Sequence, residues 1–180
     1  MKKYFTMITM LMALIAAPVM AHAADNATLI AQDEKLAPDV YQKLYQRWQH
    51  PVFLNISQSE SRHLASVERL RGAALLISAA GKFSDPDTQS LYNNLMTKGE
   101  KSLIDALQVG ATIEDKDIFD LNNAIASSNN PREQQVYNNL LRGSYKHLNA
   151  FVRTLHAEGS DYQAHYLSQK DYDEILNNKR

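Results

Sequence analysis

The chain has no cysteine. That excludes a disulfide scaffold, a thiolate metal site and a cysteine nucleophile. Glycine and proline are scarce, six and five in 180 residues, so the chain is neither collagen-like nor low-complexity. An excess of one charge is missing too. Nineteen Lys and Arg stand against 20 Asp and Glu, a formal net charge of −1, which gives nucleic acid no bulk attraction. No G-x-S-x-G elbow, P-loop or dinucleotide fingerprint occurs, so the usual hydrolase and nucleotide-binding chemistries have no footing. Strict apolar alternation of strand length is absent as well.

What is present begins with a leader. Met1-Lys2-Lys3 is a short positive segment, and residues 5–19 are apolar and rich in Met, Leu, Ile and Ala. Ala21-His22-Ala23 then forms an A-x-A cleavage pattern. This layout predicts a secretory signal over 1–23, cleaved after Ala23, and the periplasm as the compartment of a Gram-negative host. The run is short for a membrane span, and no cysteine follows it to carry a lipid. Loss of Lys2 and Lys3 with the leader would take the formal charge to −3.

The rest reads as helix. A first long helix is predicted over 27–48, with the stripe Ile30, Glu34, Ala37, Tyr41, Leu44 and Trp48 stepping by three and four. Pro38 inside it predicts a kink. A second is predicted over 51–79, with Phe53, Ile56, Glu60, His63, Leu64, Val67, Leu70, Ala74 and Ile77 on its stripe and Gly81 as its stop. Ser84-Asp85-Pro86 opens a short helix to about 97. The third long helix is predicted over 102–126, carrying Leu103, Leu107, Gly110, Glu114, Asp117, Leu121 and Ala124. The fourth, over 131–157, carries Val136, Tyr137, Leu140, Ser144, His147, Phe151 and Leu155. A short helix is expected in the tail after Ser168. Short links pair the first two long helices and the last two, and a long crossover separates the pairs. The expected fold is therefore all-α. It is a ferritin-like four-helix bundle over 24–167, with a short helix in its crossover, followed by a tail over 168–180.

Each long stripe carries polar residues where leucine would be cheaper. They are Glu34, then Glu60 and His63, then Glu114 and Asp117, then Ser144 and His147. A bare buried carboxylate costs several kcal/mol, so such groups need cations or protons. Glu60 and His63 are three apart and so share a face. The set approximates the dinuclear layout of one Glu from each of two helices and Glu-x-x-His from the other two. Ser144 departs from it, standing where the second Glu is expected, and Asp117 is the carboxylate placed to compensate. Metal ligands are therefore expected at Glu34, Glu60, His63, Glu114 and His147, with Asp117 as an optional sixth. Mixed oxygen and nitrogen donors suit a divalent transition metal, Fe or Mn ahead of Zn. Of the tyrosines, Tyr41 is the one placed near the site, two turns from Glu34. Arg62 reads as a surface ion-pair residue, and His156 and His165 as solvated.

These blocks also resemble a family. Asp33-Glu34-Lys35-Leu36-Ala37, Ser59-Glu60-Ser61-Arg62-His63, Val109 to Glu114 and Asn139 to Val152 are similar to the bacterial and archaeal domains of unknown function twenty-two-oh-two (DUF2202). The resemblance covers about 27–167 and implies a ferritin-like fold. The family shares serine at position 144, so that departure is common to it. Pro38 is a departure of this chain, because the family has arginine there. A family fold implies no reaction, because function lives in the site.

Two functions from different classes fit the pattern. One is a periplasmic metal-binding protein with a dinuclear site that oxidises Fe(II) or reacts with peroxide. The other is a non-catalytic envelope module that binds a protein partner, its polar layer a structural network. Metal storage at a single position is a third and weaker alternative. The reading includes no nucleic acid, no membrane after leader cleavage, and an undetermined oligomeric state.

Overall fold

Proline and its caps decide where the helices start. A computed structural model describes residues 26–72 and 79–177. α1 spans Asn26–Trp48, α2 Pro51–Arg71, α3 Pro86–Gly99, α4 Leu103–Ser127, α5 Pro131–Ala157 and α6 Gln169–Asn177. Pro51, Pro86 and Pro131 each sit in a first turn, where a missing N–H costs nothing. Asp85 caps α3 by accepting from the Thr88 N–H at 2.7 Å, and Ser102 caps α4 by accepting from the Asp105 N–H at 3.0 Å. The all-α expectation holds, with no strand among the described residues.

One boundary differs from the sequence reading. α2 stops at Arg71 because Gly72 takes a left-handed conformation, φ 71°, as a C-cap. Gly81 also has positive φ, but it lies in a turn of the crossover rather than at the end of α2. The predicted stripe positions Ala74 and Ile77 fall in 73–78, and the leader in 1–25. Both lie outside the described residues.

α1 continues through Pro38 without interruption. Proline removes the N–H that would bond the Glu34 carbonyl, yet Glu34 stays on the buried stripe at 1% exposure.

Short turns join α1 to α2 and α4 to α5, so each pair is antiparallel and closely packed. α1 also packs on α4, and α2 on α5, which closes a ring of four helices. Tyr41 lies 5.3 Å from Phe151 and 6.4 Å from Phe53 between ring centroids. The end of α1 therefore meets the start of α2 and the end of α5. Within the described part of the crossover, residues 79–102, α3 packs over the seam between α1 and α4. α6 packs on α5.

The core has an apolar layer on each side of a polar one. Tyr41, Leu44, Phe53, Leu107 and Phe151 are fully buried toward one end, and Val67, Leu121, Tyr137 and Leu140 are buried toward the other. Each large apolar side chain removed from water contributes about 1.5–3 kcal/mol. These layers can thus hold the polar one together at a cost the fold tolerates. No described helix is long and apolar enough to cross a membrane.

Candidate metal centre

The polar layer is built by helical spacing. Glu60 and His63 on α2, Glu114 and Asp117 on α4, and Ser144 and His147 on α5 are each three residues apart, and Glu34 on α1 faces them. Three apart is nearly one turn, so each pair presents two donors to the same space. Burial is near complete for Glu34, Glu60, Glu114 and Ser144. His63 and His147 keep 13% and 11% of their side-chain surface exposed.

Glu60 is the hub. Its Oε2 lies 3.0 Å from His63 Nδ1, and its Oε1 lies 2.5 Å from His147 Nδ1. His63 Nδ1 is also 3.5 Å from Glu34 Oε2, and His147 Nδ1 is 3.4 Å from Glu114 Oε2. Two groups of ligand atoms result, Glu34–Glu60–His63 and Glu60–Glu114–His147, each within 4.8 Å of one another. They share Glu60, whose two oxygens face one imidazole each.

Proximity here is not satisfaction. Both oxygens of Glu34, Oε1 of Glu60, Oδ1 of Asp117 and Nδ1 of His147 are buried without a hydrogen-bond partner. The His147–Glu60 approach is close but lacks hydrogen-bond geometry. A buried, unpaired polar atom costs about 1–3 kcal/mol, more if charged. Five such atoms in one layer, four carboxyl oxygens and one imidazole nitrogen, face one another unpaired.

The electrostatics agree. Burial, then repulsion from Glu60, pushes the Glu34 carboxyl well above its ordinary value. Burial, then the charge of Glu34, does the same to Asp117. Burial and Glu60 also raise Glu114. For Glu60 burial acts upward, but the imidazoles of His147 and His63 beside it outweigh that and hold the carboxyl at about 2. Burial would lower His147, yet Glu114 and Glu60 lift it to about 10. Crowded acids raise one another's hold on protons, and the imidazoles of His63 and His147 are the cations in direct contact with them.

Three further side chains set the geometry. The Tyr41 hydroxyl donates to Glu114 Oε1 at 2.7 Å and approaches the Gly110 carbonyl at 3.3 Å. Ser144 Oγ donates to Asp117 Oδ2 at 2.5 Å. Gly143 lets His63 lie against α5, because a Cβ there would fall 2.5 Å from the ring's Cε1 and 2.6 Å from its Nε2. Of the six expected ligands, five form the two groups. Asp117 lies outside both and is held by Ser144. Arg62 is exposed. His156 makes an exposed ion pair with Asp161 at 3.0 Å, and the His165 side chain is exposed.

Fold and site together define an all-helical protein with a buried carboxylate–imidazole layer contributed by its four longest helices. The chain belongs to the family described as an uncharacterised protein domain (DUF2202), whose model matches residues 23–179. It is 40% identical over 164 residues to the uncharacterised protein MJ0754 of Methanocaldococcus jannaschii, covering 88% of this chain and 89% of that one. The crystal structure of hypothetical protein MJ0754 from Methanococcus jannaschii is similar at a TM-score of 0.84 and 39% identity, over 93% of this chain and 98% of that one.

Proposed function

We propose that this protein is an exported, ferritin-like metal-binding protein whose bundle, residues 24–167, holds a pair of divalent transition-metal ions. Glu60 bridges the two positions. Glu34 and His63 complete one, and Glu114 and His147 complete the other. Asp117 is the reserve carboxylate. The observation that carries this reading is the shared Glu60, surrounded by buried atoms that no protein group satisfies.

Charge counting favours cations over a purely structural network. Four carboxyls face two imidazoles, so even two imidazolium charges leave two negatives unmatched unless protons stay on Glu34 and Asp117. Dications would remove that deficit and allow every acid to ionise. Oxygen and imidazole nitrogen donors together suit Fe or Mn, then Zn. Iron or manganese would supply one-electron redox chemistry, in the oxidation of Fe(II) or reaction with peroxide. The chain's own residues position that chemistry: Tyr41 orients Glu114, Ser144 orients Asp117, and the apolar layers restrict water. Export rests on the leader pattern of residues 1–23, with 168–180 as a tail beyond the bundle.

The test is elemental mass spectrometry of tag-free protein purified from its native compartment. One or two Fe or Mn per chain, lost in Glu60→Ala, is the expected result for this ligand set. Less than about a tenth of an equivalent, with no uptake on anaerobic reconstitution, would return the layer to a structural role. A non-catalytic module acting through a protein partner would then be the better reading.

A further inference from the structure

The centre has two different sides. The imidazoles of His63 and His147 come from α2 and α5, across the ring from the α1–α4 seam, and keep contact with solvent. Over that opposite seam, α3 encloses a narrow cavity of about 20 Å³. Its walls are Leu36 and Ala37 of α1, Leu91 and Leu95 of α3, and Thr112 and Ile113 of α4. At its floor stand Glu60, Glu114 and Asp117, and toward its mouth Tyr166 and the Lys116–Asp33 ion pair at 2.9 Å.

We infer that this cavity is a binding site for dioxygen, which reaches the carboxylate side of the centre through the α1–α3–α4 seam rather than past the histidines. The inference rests on the metal-binding reading above and names the oxidant that reading leaves open. Size is the first argument. One water needs about 10–15 Å³ of such space, so the cavity admits a diatomic molecule but not an organic substrate. The walls are the second. Between the polar groups at the floor and mouth, five aliphatic side chains line the passage, and Thr112, the polar group beside them, already donates its hydroxyl to the Gln108 carbonyl at 2.8 Å. A peroxide crossing that stretch must shed water from its O–H groups and lone pairs, which is costly. Dioxygen has no hydrogen bonds to lose, and dry apolar cavities take up apolar gases. Connection is the third. The same cavity is bounded by Glu60 and Glu114, one oxygen of each being a ligand atom in the groups above. In the reaction this site would serve, two Fe(II) lose one electron each. Dioxygen takes both with two protons and leaves as hydrogen peroxide.

Methyl NMR of the full metal-free chain under dioxygen pressure, against dinitrogen, tests the site without any metal. The methyls of Leu36, Leu95 and Ile113 should show paramagnetic shifts several-fold larger than those of exposed Leu29. Leu95→Phe, which fills the cavity, should abolish the difference. Leu91→Phe serves if that variant does not fold. In the iron-loaded chain, Leu95→Phe should slow oxidation by dioxygen about tenfold more than oxidation by added peroxide, because a filled, close-packed seam closes the apolar path to the carboxylates. Pocket methyls no more affected than Leu29, or equal slowing of both oxidants, would overturn the inference. A chain that takes up no metal yet shows the methyl shifts would remove the metal reading and keep the gas site.

Discussion

Glu114 and Asp115 are neighbours on α4, both carboxylates, both buried at 1% and 0% exposure, yet they have opposite circumstances. One residue along a helix turns the side chain by about 100°. Asp115 therefore faces the segment after α5. There its Oδ2 accepts from Tyr162 Oη at 2.9 Å and from the N–H groups of His165 and Tyr166 at 2.6 and 3.1 Å. Its Oδ1 accepts from the Leu167 N–H at 2.9 Å. Four donors satisfy one carboxylate, and the tail is anchored. Glu114 faces the centre, where it has one hydroxyl, one imidazole and the negative charge of Glu60. Burial alone thus does not mark a ligand. An acid with its donors supplied is part of the scaffold, whereas an acid without them is waiting for a cation or holding a proton.

The most severe way to break this contrast is Glu60→Ala. Both ligand groups lose their shared member, so bound metal should fall from one or two ions per chain to below about a tenth of an equivalent. Circular dichroism should show the helices retained, because the apolar layers on either side are untouched. Loss of helicity at ambient temperature would place Glu60 with Asp115 as scaffold.

Asp115→Ala should do the reverse. Four donors around it would be stranded, at a cost of about 3–5 kcal/mol read in denaturant melts. Protease should then cut within 160–168 first, while metal content stays near wild type. An unchanged melting midpoint would show that the tail is held by other means.

Gly143→Ala is subtler. The new methyl must push the His63 ring away, so metal affinity at the Glu34 side should weaken about ten- to a hundredfold, as when an orienting contact is lost. Titration with Fe(II) or Mn(II) should then separate two steps. A single unchanged step would mean that His63 is not a ligand.

Acidity sharpens the comparison further. Glu34, Glu114, Asp117, His63 and His147 all bind protons more tightly in the metal-free fold than their ordinary values. Groups raised on folding contribute stability at low pH that is lost as pH rises through their folded values, up to about 10 for His147. Glu60 runs the other way, and its contribution fades only as pH falls from 4.5 toward about 2. The metal-free chain should therefore lose stability steadily from pH 5 to 9. Metal binding needs ionised carboxyls and neutral imidazoles, so added metal should flatten or reverse that slope. Parallel slopes with and without metal would count against the centre.

Much of this was legible in the residue spacing. Steps of three and four put Glu34, Glu60, Glu114 and His147 on stripes otherwise made of core residues, and the helix period alone brings such stripes together. Gly143 was readable in principle, since a glycine inside a long helix signals close approach. Asp115 was not, because it lies off the α4 stripe and three of its four donors are backbone N–H groups, which leave no trace in residue type. Gly72 is not marked as a stop by the pattern, because apolar spacing continues past it. The gas-sized cavity was beyond any pattern, since it depends on how α3 lies over a seam rather than on what α3 contains.

The smallest effect should come from Tyr41→Phe. The ring stays packed on Phe151 and Phe53, and only a hydroxyl leaves. In the metal-free chain that hydroxyl is a neutral donor to Glu114 Oε1. Its loss should cost about 1 kcal/mol and make Glu114 hold its proton more tightly. In the metal-loaded chain the cation carries most of the carboxylate's charge, so the same substitution should cost less. Tyr41→Phe with Glu114→Gln then forms a double-mutant cycle read with and without metal. Coupling of about 0.5–1.5 kcal/mol in the metal-free chain, shrinking on loading, is expected. Coupling that is the same in both states would mean that Glu114 never gives its charge to a metal. It would then belong with Asp115, an acid whose partners are all supplied by the protein.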